Sequence, residues 1–513
     1  MNLYKKCKNI IVINKNIILA SIVFCLIFTI CSTTSPLYPF CDESHCFFTV
    51  GKALLNGQVL YKDIIEQKGL LIYLLQIPAY LISHKNFLGV WLIQLVLMTI
   101  SSVYFYKTAY LLTNSSKKSY ISTILVALVI FTSNALASGQ IVEVYVLPLF
   151  IISIYLLLKE NKNIESNEKK SLIYMFIIGI IIGIIFWMKY SLLGFYFAYI
   201  LVTLIFDIKD KKYSLSIKKV VMISLGFLII TIPCVLYFVL NNAFSELINY
   251  YIINNVSGYG SALSLFGTLK NYGATFLTQF KWNPIMTIVL FISLAYIIKT
   301  RKISRKVKII LFSSIITHYM IIFIHGAMFP YYFFAFGAIL IFGIVGVVEL
   351  LNKILCLIAP SCLLENKKDI NLMLLIFTIT CIILSIIFMP CPRQFLKEPS
   401  NLAQYEFAKY MHNKYEEPTS LDYGFLDGGF YTVADIIPNV WAFCGLNWDN
   451  PKMYQSQLDA IKNQKTDFVI LRALGSDNPI IPAYLEENYN LAMKKSQYRV
   501  NTVFTYYLYE KKE

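Results

Sequence analysis

Charge is what this sequence has least of. Only 14% of its 513 residues are Asp, Glu, Lys or Arg, against about 25% in a soluble globular domain. Acid is the scarcer sign: 29 Asp and Glu stand against 45 Lys and Arg, a formal net charge of +16. With 57% hydrophobic residues and a mean hydropathy of +0.62, this excludes an ordinary soluble enzyme. The sequence also lacks a CxxC pair and any Cys/His spacing typical of a metal site. It has no DxD-like stretch, no obvious internal repeat, and no small-residue cleavage site after its first apolar run. The eleven cysteines therefore read as free thiols. Cys25, Cys234, Cys356, Cys362 and Cys381 lie in or beside apolar segments, where a thiol acts as a small hydrophobe. Cys41 and Cys46, five apart, would pair only on an oxidising side.

What the sequence has instead is long apolar runs. A helix needs about 20 apolar residues to span a bilayer. Runs fall at about 16–35, 87–111, 119–137, 141–158, 171–188, 190–206, 219–240, 283–299, 308–325, 331–349 and 371–389. The expectation is an all-α polytopic membrane protein with about eleven transmembrane helices. The loops orient it. Lys5, Lys6, Lys8 and Lys15 precede the first run, Lys117 and Lys118 follow the second, and Lys159, Lys162, Lys169 and Lys170 follow the fourth. The stretch from Asp207 to Lys219, the stretch KTRKISRKVK at Lys299 to Lys308, and Lys353, Lys367 and Lys368 complete the series. With an internal N-terminus all these loops share one side, which the positive-inside rule makes cytoplasmic. The net charge is thus a topology signal, split among short loops rather than gathered on one nucleic-acid-binding face.

Three larger segments then fall outside: residues 36–86, residues 241–283 and everything after Met389. The division expected is a membrane core over 1–390, with its candidate site in the outer loop 36–86, and an extracytoplasmic domain over 391–513. That tail is polar. It holds the turn signal DGG at Asp427 to Gly429 and the strand-like run FVILRAL at Phe468 to Leu474. Helices are predicted over Asn401 to Tyr415 and Pro451 to Asn463, so a small α/β domain is expected.

The outer loop YPFCDESHCFFTVGKALLNGQVLYKDIIEQKGLLIY, Tyr38 to Tyr73, clusters Asp42, Glu43, Asp63, Glu66 and Lys68. Two readings fit Asp42 and Glu43. Acids in a helix's first turn are stabilised by its dipole, by about 0.3–1 kcal/mol. A carboxylate held just outside the hydrocarbon is also placed to take a proton from an acceptor hydroxyl as general base. Lys68 begins an apolar stretch that contains Pro78 and reads as an interfacial helix in the membrane plane. A Lys there either snorkels towards the headgroups or holds a lipid-linked phosphate as a point charge.

The pattern DExxxxxxxGKALLxGxxxYxDxxxxKGLLIY resembles the first outer loop of the GT-C glycosyltransferases. The likeness is to the bacterial branch related to protein mannosyltransferases and the lipid A aminoarabinose transferase. In that branch a Lys-Pro-Pro-Leu or Lys-Gly-Pro-Leu motif precedes the apolar run, whereas here Leu70 stands in the place of the usual Pro. SGQIVEVYVLPLF, Ser138 to Phe150, is similar to the family's short outer turn that often holds a Glu, with Glu143 as counterpart. GAMFPYYFFAFGAIL, Gly326 to Leu340, is similar to a late outer turn with paired aromatics, here Tyr331 and Tyr332. The usual His between them is absent, and His325 is nearby but not at the matching place.

The resemblance implies transfer, with inversion, of a sugar from a polyprenyl-phosphate carrier to a cell-surface glycan, lipid or protein acceptor on the extracytoplasmic side. It implies Asp42 as general base with Glu43 as helper, and Lys68 neutralising the phosphate as the leaving group gains charge. Asp63 and Glu143 would position substrate hydroxyls or Lys68 itself, and Tyr331 and Tyr332 would offer a surface to sugar or isoprenoid. No cofactor is implied: the lipid-linked sugar is a substrate, and the expectation is metal-independent. The plainer alternatives are a solvated N-terminal acid at Glu143 and an interfacial aromatic belt at Tyr331 and Tyr332. Lys189, in FWMKYSLL, near the outer boundary between two spans, has two readings, a ligand for an anionic group and, more plainly, a snorkelling lysine. A glycolipid flippase or transporter would place polar groups at mid-membrane, and the spans hold few charges there. A polysaccharide polymerase or ligase would use an oligosaccharide diphosphate donor instead.

Overall fold

Every one of the eleven apolar runs falls on a helix. The structure is a computed structural model that describes residues 2–39, 46–162, 168–257, 265–326, 329–358, 367–446, 450–475, 477–499 and 502–513. The helices that position the site are α1 (Asn2–Cys31), α2 (Cys46–Leu55), α3 (Leu70–Leu74), α4 (Gln76–Ile82), α5 (Leu88–Thr113), α6 (Ser116–Phe131), α7 (Val142–Lys162), α8 (Glu168–Lys189), α9 (Gly194–Lys209) and α10 (Tyr213–Leu240). Further helices follow at Leu265–Trp282, Pro284–Lys299, Arg305–Ile322, Leu340–Ile358 and Lys367–Ile387. Among the described residues five helices are long and apolar enough to cross a membrane, or six if one pair bent by 117° counts as a single span. Of the remaining runs, 119–137 and 283–299 fall on helices of 16 residues, Ser116–Phe131 and Pro284–Lys299, so helix positions match the expected spans while full spanning length is met by fewer.

The basic turns gather at one end of the bundle. The Asn16 amide donates to Ser116 Oγ at 2.5 Å, which ties the middle of α1 to the first residue of α6. Ser171 Oγ donates to Glu160 Oε1 at 2.6 Å across the turn between α7 and α8. Lys306 reaches Asp207 at 3.0 Å, joining the start of helix Arg305–Ile322 to the end of α9. The end of α8 that carries Lys189 lies about 32 Å away along that helix, at 1.5 Å per residue, and meets the outer loop.

The predicted interfacial helix is broken in two, α3 and α4, at Leu75. Pro78 lies three residues beyond and has no N–H to give an i−4 carbonyl, so the helix ahead of it ends. The late aromatic stretch is not an α-helix from its start: Pro330–Ile339 is a 3-10 helix that leads into Leu340–Ile358.

The tail forms a four-stranded sheet: β1 (Ser420–Asp422), β2 (Phe468–Leu474), β3 (Tyr489–Arg499) and β4 (Thr502–Lys511), in the order β1-β2-β4-β3. β1 pairs parallel to β2, and the other pairings are antiparallel, with a bulge between Leu491 and Met493. Helices Ala403–Lys414 and Pro451–Lys462 accompany it. The second starts where its sequence says it should, with the Asn450 side chain accepting from Lys452 N and Pro451 in the first turn.

This domain grips the outer loop. Ile65 N donates to the Trp441 carbonyl at 2.9 Å, and Trp441 Nε1 donates to the Tyr61 carbonyl at 2.9 Å. Thr49 Oγ1 donates to Asp427 Oδ2 at 2.6 Å, and the buried Lys52 donates to the Tyr431 carbonyl at 2.7 Å. Burial pushes the Lys52 ammonium down to about 8, with Asp435 and Asp427 opposing the shift. Burial likewise pushes Asp427 up to about 6 and Asp422 well above the ordinary carboxylate range, the latter also by repulsion from Asp427.

Candidate active site

The segment that carries Lys68 is fixed on both sides of its peptide unit. Its N–H donates to Glu66 Oε2 at 2.9 Å and to the Tyr73 hydroxyl at 3.0 Å. The Tyr73 hydroxyl itself donates to Glu66. The Lys68 carbonyl accepts from the Tyr61 hydroxyl at 2.5 Å. Tyr61 holds a positive φ of 67°, and Asp63 braces the same turn by accepting from Val59 N at 2.8 Å. Next along, Gly69 N donates to the Met188 carbonyl at 3.1 Å, which docks the segment onto the end of α8. Only glycine fits there: a Cβ would lie 2.2 Å from the Trp187 carbonyl oxygen. Leu70, where the related motifs carry Pro, is the first residue of α3, a position at which Pro and non-Pro residues serve equally because its N–H has no helical partner.

Lys189 closes α8 and points into the same region. Its Nζ lies 2.6 Å from Glu143 Oε1, with side-chain exposures of 13% and 1%. The ammonium also stands over the Tyr332 ring at 4.4 Å and the Tyr331 ring at 5.5 Å. The two tyrosines meet edge to face at 5.0 Å. Lys68 lies near enough to Lys189 for the two charges to repel. Glu143 sits in the first turn of α7, and its Oε2 is buried with no hydrogen-bond partner among the described residues. Behind it a buried amide network, in which Tyr145 donates to Gln140 and Gln140 to Gln76, ties α7 to α4.

Of the residues singled out from sequence, the structure thus gathers Lys68, Glu143, Tyr331 and Tyr332. Asp63 is exposed and serves the turn at Val59. Asp42 and Glu43 lie outside the described residues. Lys189, read as a snorkelling lysine, is instead the hub of the cluster, joined to Glu143, Tyr331 and Tyr332. Glu66, Tyr61, Tyr73 and Trp441 have supporting roles that sequence reading missed. The one signal that pointed to Lys189 was a cation at the outer end of an apolar helix, on the same side as an acid-bearing turn.

The arrangement pairs two cations with a buried carboxylate and two aromatic faces, at the bundle end remote from the basic turns. Along 96% of its length the chain superposes on 97% of the crystal structure of ArnT from Cupriavidus metallidurans bound to undecaprenyl phosphate, with a TM-score of 0.58 and 12% sequence identity. The chain has a GT-C fold. Residues 68–237, the stretch from Lys68 through α10, match the family model for dolichyl-phosphate-mannose-protein mannosyltransferase. No curated protein matches the chain in sequence. The GT-C match places Lys68, Glu143 and Lys189 all within the part of the chain that resembles the mannosyltransferase family.

Proposed function

We propose that this GT-C protein transfers a sugar from a polyprenyl-phosphate carrier to an acceptor hydroxyl at the extracytoplasmic membrane surface. The observation that carries the reading is the convergence of Lys68 and Lys189 on one region beside Glu143, Tyr331 and Tyr332. A phosphate monoanion or dianion is the group that two adjacent ammoniums best accommodate. The similar ArnT was solved with undecaprenyl phosphate, which supports the same class of carrier here.

In this mechanism the acceptor oxygen attacks the anomeric carbon from the face opposite the phosphate. The bond from that carbon to the phosphate oxygen breaks, and the electron pair leaves with polyprenyl phosphate. Lys68 and Lys189 stabilise the charge that grows on the leaving group. Glu143 Oε1 holds the Lys189 ammonium, and Oε2 is available to a sugar hydroxyl. Tyr331 and Tyr332 face the sugar or the first isoprene units. Asp42 takes the acceptor's proton, with Glu43 beside it, and Asp63 acts indirectly through the turn that carries Lys68. The acceptor is a surface glycan, lipid or protein, and the reaction needs no metal.

The test is sugar transfer by the full chain in proteoliposomes loaded with a polyprenyl-phosphate monosaccharide. Lys68→Ala should lower transfer by at least about a hundredfold, the scale of a lost transition-state electrostatic contact, and Asp42→Asn should abolish it. EDTA should leave the rate unchanged. Movement of the carrier across the bilayer without transfer would instead identify a flippase. Full activity in Lys68→Ala would remove the phosphate assignment.

A further inference from the structure

At the opposite end of the bundle a pocket of about 460 Å³ lies among the starts of α8 and α10 and the end of α9. Six lysines line it: Lys170, Lys211, Lys212, Lys218, Lys219 and Lys306. Its acids are already engaged. Asp207 lies 2.6 Å from Lys219 and 3.0 Å from Lys306, Glu168 lies 2.7 Å from Lys218, and Glu160 accepts from Ser171. Lys211 and Lys212, both exposed, enter no ion pair among the described residues. They stand on a turn held by Lys211 N to the Ile208 carbonyl and Lys212 N to the Asp207 carbonyl. The pocket therefore keeps a surplus of positive charge aimed at a shared space.

Next to it runs an apolar groove of about 650 Å³, lined by Leu172, Ile173 and Phe176 of α8 and by Met222 and Leu225 of α10. Glu168 lines both cavities. The groove has a cause. The helices touch backbone to backbone at Gly179 and Gly226, where a Cβ would lie 2.2 Å from the Ile223 carbonyl oxygen and 2.3 Å from the Phe176 carbonyl oxygen respectively. They are tied again by Lys218 and Glu168 at 2.7 Å. Between these ties the side chains leave an open furrow about 12 Å long, eight residues of helix. A surplus of cations above an apolar furrow, about 32 Å of helix from Lys189, matches the two parts of a charged lipid.

We propose that this end of the bundle binds one anionic phospholipid, its headgroup phosphate at Lys211 and Lys212 of the α9–α10 turn and an acyl chain in the α8–α10 furrow. The site is separate from the one proposed for sugar transfer. A soluble anion would satisfy the lysines but leave the furrow empty, which is why lipid is favoured.

Native mass spectrometry of the full chain, with palmitoyl-oleoyl phosphatidylglycerol or phosphatidylcholine added to detergent, tests this. Phosphatidylglycerol should be retained preferentially. The double substitution Lys211→Ala and Lys212→Ala should weaken its retention about twenty-fivefold, at about fivefold for each lysine. Ile173→Trp, which fills the furrow, should also weaken it while leaving the binding of glycerol 3-phosphate unchanged. The control Lys117→Ala with Lys118→Ala, at the same end but outside the pocket, should have no effect. Equal retention of the two lipids, an equal loss in the control, or glycerol 3-phosphate binding as tightly as the lipid would each overturn the proposal. Unchanged melting of the variants in detergent shows that a loss of binding is not a loss of fold.

Discussion

Removing the Glu143 carboxylate is the perturbation whose size the structure fixes best. In Glu143→Ala the ammonium of Lys189 loses its partner at 2.6 Å while remaining in a site where its side chain is only 13% exposed. Breaking a buried ion pair from one side costs about 3–5 kcal/mol, because the other charge stays buried and uncompensated. Lys189 keeps the Tyr331 and Tyr332 faces at 5.5 and 4.4 Å. Such cation–π contacts contribute about 0.5–2 kcal/mol and offset part of the loss. The expected destabilisation is therefore about 1–4.5 kcal/mol. Lys189→Met should also destabilise, since it leaves the Glu143 carboxylate buried. The double variant should recover much of the loss, so the two single effects should fail to add by at least about 2 kcal/mol. Reversible unfolding in mixed micelles of increasing denaturing detergent measures all three. A single-variant loss below about 1 kcal/mol, the scale of exposed pairs, would refute the reasoning. So would additivity within about 0.5 kcal/mol; Glu143 would then be the solvated helix-start acid that its position in sequence also allows.

Three further outcomes follow from the same geometry. Gly69→Ala drives a Cβ to 2.2 Å from the Trp187 carbonyl oxygen, so the Lys68 segment should lift from α8; transfer should fall at least about tenfold with unchanged membrane insertion, and wild-type activity would show that the dock is dispensable. Burial raises the folded-state pKa of Asp427 to about 6 and that of Asp422 well above the ordinary carboxylate range, so the native protein binds more protons than the unfolded chain over a window that opens at about pH 4 and extends past about pH 6. Their contribution to stability is present below that window and is lost as pH rises through it; melting in detergent should show a fall that flattens in Asp422→Asn, and equal slopes in the two proteins would contradict this. The sulfurs of Cys46 and Cys444 lie 3.7 Å apart, against about 2.05 Å in a disulfide, so a mild oxidant should join the outer loop to the tail domain; peptide mapping that finds both thiols still alkylated would contradict it.

Much of the architecture was legible because the bilayer enforces it. Apolar runs of spanning length have no other use, and the lysines between them alternate with the acid-bearing turns. FVILRAL, Phe468 to Leu474, is β2 residue for residue, and the helices expected over Asn401 to Tyr415 and Pro451 to Asn463 occupy Ala403–Lys414 and Pro451–Lys462. In the cluster around Lys189, the residues that a motif singled out are Lys68, Glu143, Tyr331 and Tyr332. Lys189 was seen yet set aside, because an isolated lysine at a helix end is usually a snorkelling one, and its partner is 46 residues away in sequence. The supports of Lys68 come from Tyr61 and Tyr73, while the distant Trp441 braces Tyr61 and Ile65 only once the tail domain is docked. Asp63, which the resemblance implies would position substrate hydroxyls or Lys68 itself, completes the local turn from Val59 to Asp63.

The central claim is that Lys68 and Lys189 together receive the carrier's phosphate. A structure of the full chain with bound polyprenyl phosphate tests it most directly. The account predicts the phosphorus-bound oxygens within about 3 Å of both ammoniums, the distance of a charge-assisted hydrogen bond, and the first isoprene units against Tyr331 and Tyr332. A phosphate bound away from both lysines would contradict it.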